Sequence, residues 1–308
     1  MSSVGKGRKP YALEEGSTIA VVAPSFSVES DRLNHIEGQL SSRGINLTRR
    51  EDIFERFKYF AGTDLRRSEE LKEAIRDPSV DGIICARGGY GCTRLLPDLE
   101  AQVFNDNKKP LAGYSDITSL LLWQWRHAAL VGFHSPMLDR QGGLEDVELD
   151  SMISMLMGRK GYEILQGIGL SGTTAVGTLM GGSLTMVVAS LGTSWEIDTR
   201  GSILLLEEVN EKPYQIDRML QQLKAAGKFD AIVGVGIGYL VNCIDSKREE
   251  PTAQEVIEAV FEPLGVPVVT NLPFGHDSPN RTWPLGIKAE INARTGEVSF
   301  LENGVLQK

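Results

Sequence analysis

The chain has 308 residues, of which 41% are hydrophobic and 24% charged, a balance that suits one large folded domain or two ordinary ones and excludes pervasive disorder. A formal net charge of −9 argues against a grip on nucleic acid, which needs clustered Lys and Arg against phosphate. No apolar run approaches the ~18–20 residues that span a bilayer, and the opening MSSVGKGRKPYALEEGS lacks the apolar core of an export signal. A cytoplasmic protein that binds neither membrane nor nucleic acid is therefore expected. The basic cluster of Lys6, Arg8 and Lys9 reads as a frayed end.

Taken in chain order, the first half alternates strands and helices, the pattern of a parallel sheet wrapped by helices. An apolar run at 19–23 is followed by Pro24 and Ser25. A helix then carries Leu33, Ile36 and Leu40 on one face and ends by Gly44. A second strand at 45–47 precedes a helix capped by Thr63 or Asp64 that presents Leu71, Ala74 and Ile75. The continuous apolar run at 82–86 reads as a strand buried on both faces, and it opens into the glycine-rich ARGGYG at 86–91. A strand at 110–113 runs into Tyr114, Ser115 and Asp116, then into a helix with Ile117, Leu120, Leu121 and Trp123; a strand at 131–134 closes the half. Residues 139–162 are Met-rich and bracketed by glycines, which predicts an N-terminal domain over 1–145, a linking region over 146–170 and a C-terminal domain over 171–308. In the second half, strands are expected at 202–208, through Ile232 and Val233, and at 266–270. Helices are expected at 214–226 and 253–261, and a hairpin pairs 286–292 with 297–301.

Ser115 lies where a strand gives way to a helix, a turn that lifts a hydroxyl to the carboxyl edge of a sheet and places it near free helix N-terminal amides. GYSDIT lacks the G-x-S-x-G of the hydrolase elbow, so the local pattern alone favours helix capping. Gly88 and Gly89 can turn backbone N–H groups inward, as an oxyanion hole or a phosphate cradle requires, or form a plain turn. Neither this loop nor GVGIG at 234–238 has dinucleotide-binding spacing. Of four histidines, His35 falls within a surface helix and His127 at a helix end, so both read as solvated. His134 follows a strand in FHSPM, near the place where a site would form, and His276 sits in the turn-rich loop PFGHDSPN. ILLLEEVNEKPY supplies Glu207 and Glu208 at the end of a buried strand, where alternation sends the two carboxylates to opposite faces. Cys85, Cys92 and Cys243 match neither a zinc site nor a disulfide framework and suit a reducing compartment. No cluster has metal-ligand spacing, so neither metal nor cofactor is expected.

With these residues in place, the chain resembles the LD-carboxypeptidases, or muramoyltetrapeptide carboxypeptidases, a serine peptidase family that also contains the microcin C self-immunity proteins. The matching blocks run nearly end to end: IAVVAPS, ARGGYG, GYSDIT, GFHSPM, GGSL, LLEEVNEKPYQIDRML, PFGH and PLG. The resemblance implies a flavodoxin-like or amidotransferase-like α/β N-terminal domain with a smaller mixed α/β C-terminal domain, and a site where the two meet. It makes Ser115 the nucleophile, His276 the base and Glu207, not Glu208, the orienting acid. The amides of Asp116 and of Gly88 or Gly89 become the oxyanion hole, and His134 has no catalytic role. It further implies a homodimer acting on a small peptide, a murein tetrapeptide whose terminal D-Ala is released from an L-centred diamino acid during wall recycling. Two blocks depart from the family's usual wording, at Ser183 in GGSL and Ser135 in FHSPM, and both bear on pocket shape. The separation of 92 positions from Ser115 to Glu207 is shorter than in the immunity branch. The competing functions are an immunity-type serine hydrolase of peptidyl or aminoacyl nucleotides, a cysteine hydrolase built on Cys92, and a non-catalytic ligand-binding α/β module.

Overall fold

The computed structural model describes residues 7–245 and 251–307 and divides into two compact units. The chain leaves the first unit at Lys160 and enters the second at Gly161, inside the region predicted to link two domains. The second unit is not one continuous stretch, because Thr282–Leu285 and Asn303–Lys308 belong with the first.

In the first unit, β1 (Thr18–Val22), β2 (Asn46–Thr48), β3 (Gly82–Cys85), β4 (Leu111–Gly113) and β5 (Gly132–His134) form a parallel sheet in the order β2-β1-β3-β4-β5. This is the flavodoxin order, with its reversal between β1 and β3. The late strand Trp283–Leu285 pairs antiparallel with β5 at the sheet edge. The helices are α1 (Ser30–Ser41), α2 (Asp64–Arg76), α3 (Ala101–Asn107), α4 (Thr118–Ala128) and α5 (Asp146–Met157). α1 buries the predicted stripe of Leu33, Ile36 and Leu40. Nearly every side chain of α4 is buried, including Gln124, whose Nε2 donates to the carbonyls of Leu130 and Val131. The basic lead-in is not frayed from Arg8 onward: its N–H donates to the Ala129 carbonyl and its own carbonyl accepts from Val131. Lys6 lies outside the described residues.

The second unit is built on an eight-stranded mixed sheet. Its strands are β6 (Ile164–Gln166), β7 (Ile168–Ser171), β8 (Thr174–Ser183), β9 (Ser202–Val209), β10 (Gly234–Val241) and β11 (Val268–Thr270). With Trp283–Leu285 counted as β12, the hairpin strands are β13 (Lys288–Asn292) and β14 (Glu297–Phe300). The order is β6-β14-β13-β8-β9-β10-β11-β7, parallel from β8 to β11 and antiparallel elsewhere. Helices α6 (Leu184–Ala189), α7 (Pro213–Ala225) and α8 (Ala253–Phe261) complete it. The strand expected through Ile232 and Val233 starts instead at Gly234 and includes the whole GVGIG run. Gly234 faces Ile291, Gly236 faces Leu205 and Leu272, and Gly238 faces Phe274, so crowding from neighbouring chain segments, not a turn, accounts for them. Among the described residues no helix is long and apolar enough to cross a membrane.

α2 offers a direct check on the local reading, because the Thr63 hydroxyl accepts from the Arg66 N–H at 3.2 Å as an N-cap. Thr63→Ala is expected to lower stability by about 1 kcal/mol, read as a shifted urea midpoint with an unchanged slope.

Candidate active site

In the first unit, Tyr114 is extended (φ −145°, ψ −169°), and Ser115 then takes φ +59° before a single 3-10 turn, Ser115–Ile117, leads into α4. A positive φ is costly for a residue with a Cβ, and a sharp strand-to-helix elbow is where hydrolases accept that cost to project a nucleophile. The N-cap position of this turn belongs to Tyr114, so Ser115 is an elbow residue and capping does not account for it. Gly88 lies against it: a Cβ built on Gly88 would stand 3.0 Å from Ser115 Cβ and 3.2 Å from Ser115 Oγ. Only a glycine lets the backbone of the ARGGYG loop approach the hydroxyl this closely. Gly89, at φ +103°, is covered by the Phe26 ring.

The Asp116 side chain holds a second role that its place in the motif did not reveal. It is 1% exposed, and its Oδ2 accepts from Ser25 Oγ at 2.5 Å and from the Cys92 N–H at 2.8 Å. The loop after β1, the glycine loop after β3 and the elbow after β4 are thus tied to one carboxylate. Burial raises the Asp116 pKa, and the bonds from Ser25 and Cys92 oppose that shift. Arg67, fully buried, joins the same loops by donating to the carbonyls of Pro24 and Gly91, with its guanidinium over the Phe60 ring. Nothing in the helical pattern of α2 marks Arg67 as internal. The thiol of Cys92 is buried, and desolvation holds its pKa well above the ordinary thiol value, which removes it as a nucleophile.

In the second unit, β9 delivers the two glutamates to different partners. Glu207 Oε2 lies 2.7 Å from His276 Nδ1, with the glutamate side chain fully buried and the histidine side chain 19% exposed. Nδ1 facing a carboxylate assigns its proton to that nitrogen and leaves Nε2 as the acceptor, the tautomer a general base needs. Gly275, at φ +120°, makes room: a Cβ there would stand 2.9 Å from Glu207 Oε2. Glu208 turns the other way, accepting from Thr185 N–H and Oγ1 at 2.7 Å each and from the Val209 N–H at 2.8 Å, and burial raises its pKa. His134 is fully buried and stacks on Trp283 at 5.0 Å and 13°, a core position, while His35 and His127 are exposed. Ser135, one of the departures from the family wording, bonds Thr282 within the core, and Ser183 is the buried N-cap of α6.

Residues 19–135 match the LD-carboxypeptidase N-terminal domain and residues 176–291 the LD-carboxypeptidase C-terminal domain. The chain belongs to the LD-carboxypeptidase family. Among its LD-carboxypeptidase relatives, the "Probable murein peptide carboxypeptidase" of Bacillus subtilis (strain 168) is 34% identical over 304 residues, covering 96% of this chain and 95% of the relative. The crystal structure of muramoyltetrapeptide carboxypeptidase from Oxalobacter formigenes superposes with a TM-score of 0.82 at 30% identity, over 92% of this chain and 97% of that one. The microcin C7 self-immunity protein MccF of Escherichia coli is 26% identical over 279 residues, covering 79% of this chain and 80% of that protein. This chain is therefore a member of a peptidase family whose relatives carry both carboxypeptidase and immunity names.

The opposite fates of the two glutamates generate a clear expectation. Glu207→Gln should lower kcat by about 10³–10⁴-fold, because an amide no longer enforces the Nδ1–H tautomer. Glu208→Gln should leave kcat within about threefold, since its partners are backbone and Thr185. Steady-state kinetics on both purified variants, with circular dichroism to verify folding, decide between the two.

Proposed function

We propose that the chain is a serine LD-carboxypeptidase that removes the terminal D-Ala of murein tetrapeptides, with Ser115 as nucleophile, His276 as general base and Glu207 as the acid that orients it. The observation that carries this reading is the 2.7 Å bond between the buried Glu207 and His276 Nδ1, which makes Nε2 the nitrogen that accepts a proton. The left-handed Ser115 elbow under Gly88 supplies the matching nucleophile. The names of the relatives support the substrate class.

On this reading His276 Nε2 takes the proton as Ser115 Oγ adds to the scissile carbonyl carbon. The oxyanion that forms is met by the amides of Asp116 and of Gly88 or Gly89. Glu207 stabilises the imidazolium, which then gives its proton to the departing amine of D-Ala. Water, activated by the same imidazole, hydrolyses the acyl-enzyme and returns Ser115 to its starting state. All steps are proton transfers and acyl transfer, so no metal or cofactor enters them.

Incubation with a tetrapeptide ending in D-Ala and with its L-Ala epimer, followed by assay of free alanine, tests the substrate. Release from the D-epimer alone is expected, and Ser115→Ala should lower that turnover by several orders of magnitude while keeping the fold. A fluorophosphonate should label Ser115 and leave Cys92 untouched. Equal cleavage of both epimers, or cleavage only of an aminoacyl-nucleotide amide, would place the protein in the immunity branch. An absence of labelling and turnover together would point to a binding module.

A further inference from the structure

The mechanism above gives no task to Arg87. Arg87 opens the glycine loop, directly before the Gly88 that lies against Ser115. Its Nη1 donates to the Ser27 carbonyl at 2.9 Å and to Asp139 Oδ2 at 3.2 Å, while Arg32 Nη1 reaches Asp139 Oδ1 at 3.3 Å. The Asp139 side chain is fully buried, whereas the two arginine side chains are 37% and 36% exposed. Two guanidiniums therefore share one carboxylate. Among the described residues neither arginine is paired with a second acid, so the cluster carries one net positive charge at a partly open surface.

The orientation of that charge is set. The Arg87 guanidinium stands 5.9 Å from the Phe26 ring centroid, and its Nη1 is held by Ser27 and Asp139. Among the described residues Arg87 forms no other hydrogen bond, which leaves Nε and Nη2 unused. Those two nitrogens lie on one edge of the guanidinium, the edge whose parallel N–H groups match the two oxygens of a carboxylate. Its place in the fold is equally specific. Strand order reverses between β1 and β3, and ligands of such sheets bind in the crevice where the loops after those two strands part. Ser27 belongs to the loop after β1 and Arg87 to the loop after β3, so their bond spans that crevice on the same carboxyl edge that carries Ser115 after β4.

A carboxypeptidase differs from an endopeptidase in one chemical requirement: the residue after the scissile carbonyl must end in a carboxylate. The carbon of that carboxylate lies only about 4 Å from the scissile carbonyl carbon, so its anchor has to reach close to Ser115, and the glycine loop that lies against Ser115 is placed to supply it. We propose that Arg87, clamped by Asp139 and Ser27, is the specificity-determining residue that receives the terminal carboxylate of the peptide through Nε and Nη2. The proposal rests on the hydrolase reading of the same site and adds the group that makes it an exopeptidase.

The test reads binding, so that it stands apart from turnover. A tetrapeptide ending in D-Ala and the same peptide as its C-terminal amide are titrated calorimetrically into Ser115→Ala protein, alone and combined with Arg87→Met or Arg87→Lys. In the Ser115→Ala background the acid should bind roughly 10- to 100-fold tighter than the amide, the range of a charge-assisted pair. Arg87→Met should erase that ratio and Arg87→Lys should retain part of it. Because acid and amide are compared within one variant, any general loosening left by an underpaired Asp139 cancels. A ratio that survives in Arg87→Met, an equal weakening of both peptides, or no binding of either peptide to Ser115→Ala would overturn the assignment. Wild-type protein that cleaves no peptide, alongside an Arg87-dependent acid preference, would instead sink the hydrolase reading and leave the carboxylate site standing.

Discussion

A serine at φ +59° costs about 1–2 kcal/mol of backbone energy and persists only where its surroundings leave no alternative. Here the constraint is the buried Asp116 carboxylate. Its Oδ2 collects the Ser25 hydroxyl and the Cys92 amide, and the next residues enter a helix whose side chains are almost all internal. Arg67 reinforces the same junction from beneath by holding the carbonyls of Pro24 and Gly91. Three loops at the carboxyl edge of the parallel sheet are consequently one mechanical object. The elbow cannot relax without breaking bonds to a group that burial makes expensive to leave unpaired.

The second unit solves a related problem with strand alternation. Two adjacent glutamates at the end of β9 are both buried, which is tolerable only because each finds donors on its own face. Glu208 is satisfied by neutral donors, so desolvation dominates and its pKa rises. Glu207 meets a ring that can itself carry charge, at 2.7 Å. A one-residue slip of β9 would exchange these environments, so the pairing of Ser183 with Glu207 and of Leu240 with Glu208 in the neighbouring strands also fixes which acid faces the histidine.

Much of this was legible in the sequence, because periodicity and punctuation report local structure. The stripe of Leu33, Ile36 and Leu40, the Thr63 cap and the strand before ARGGYG fall where they were expected. So does the hairpin around Arg294. The α/β class with its parallel N-terminal sheet and mixed C-terminal sheet followed from the same signals and from the family's blocks. What stayed hidden depends on partners distant in the chain. β10 was misplaced because its glycines mark close strand neighbours, not a turn. β8 carries glycines and small polar residues that mask its length, and the return of Trp283–Leu285 to the first sheet leaves no local trace. The Asp116 clamp joins residues up to 91 positions apart, and Arg67 looks like any solvated helix arginine until Phe60 and two carbonyls close around it.

The charge of the whole chain bears on the proposed substrate, which ends in a carboxylate. At −9 the protein repels anions at long range, but ionic strength screens that field over about 8–10 Å, so capture is decided by groups at the site. Pairing geometry then separates the arginines that can contribute from those that cannot. Arg94 also shares an aspartate with a second arginine, yet it spends its Nε and Nη2 edge on Asp64. Arg43 and Arg50 each engage two carboxylates. Arg87 keeps the same edge open because Asp139 is approached through Nη1. The burial of Asp139 fixes the arginine without exposing a compensating negative charge beside it. A carboxylate hidden behind the cation orients the guanidinium and leaves its positive face to the ligand, which an exposed ion pair at the same place would not do.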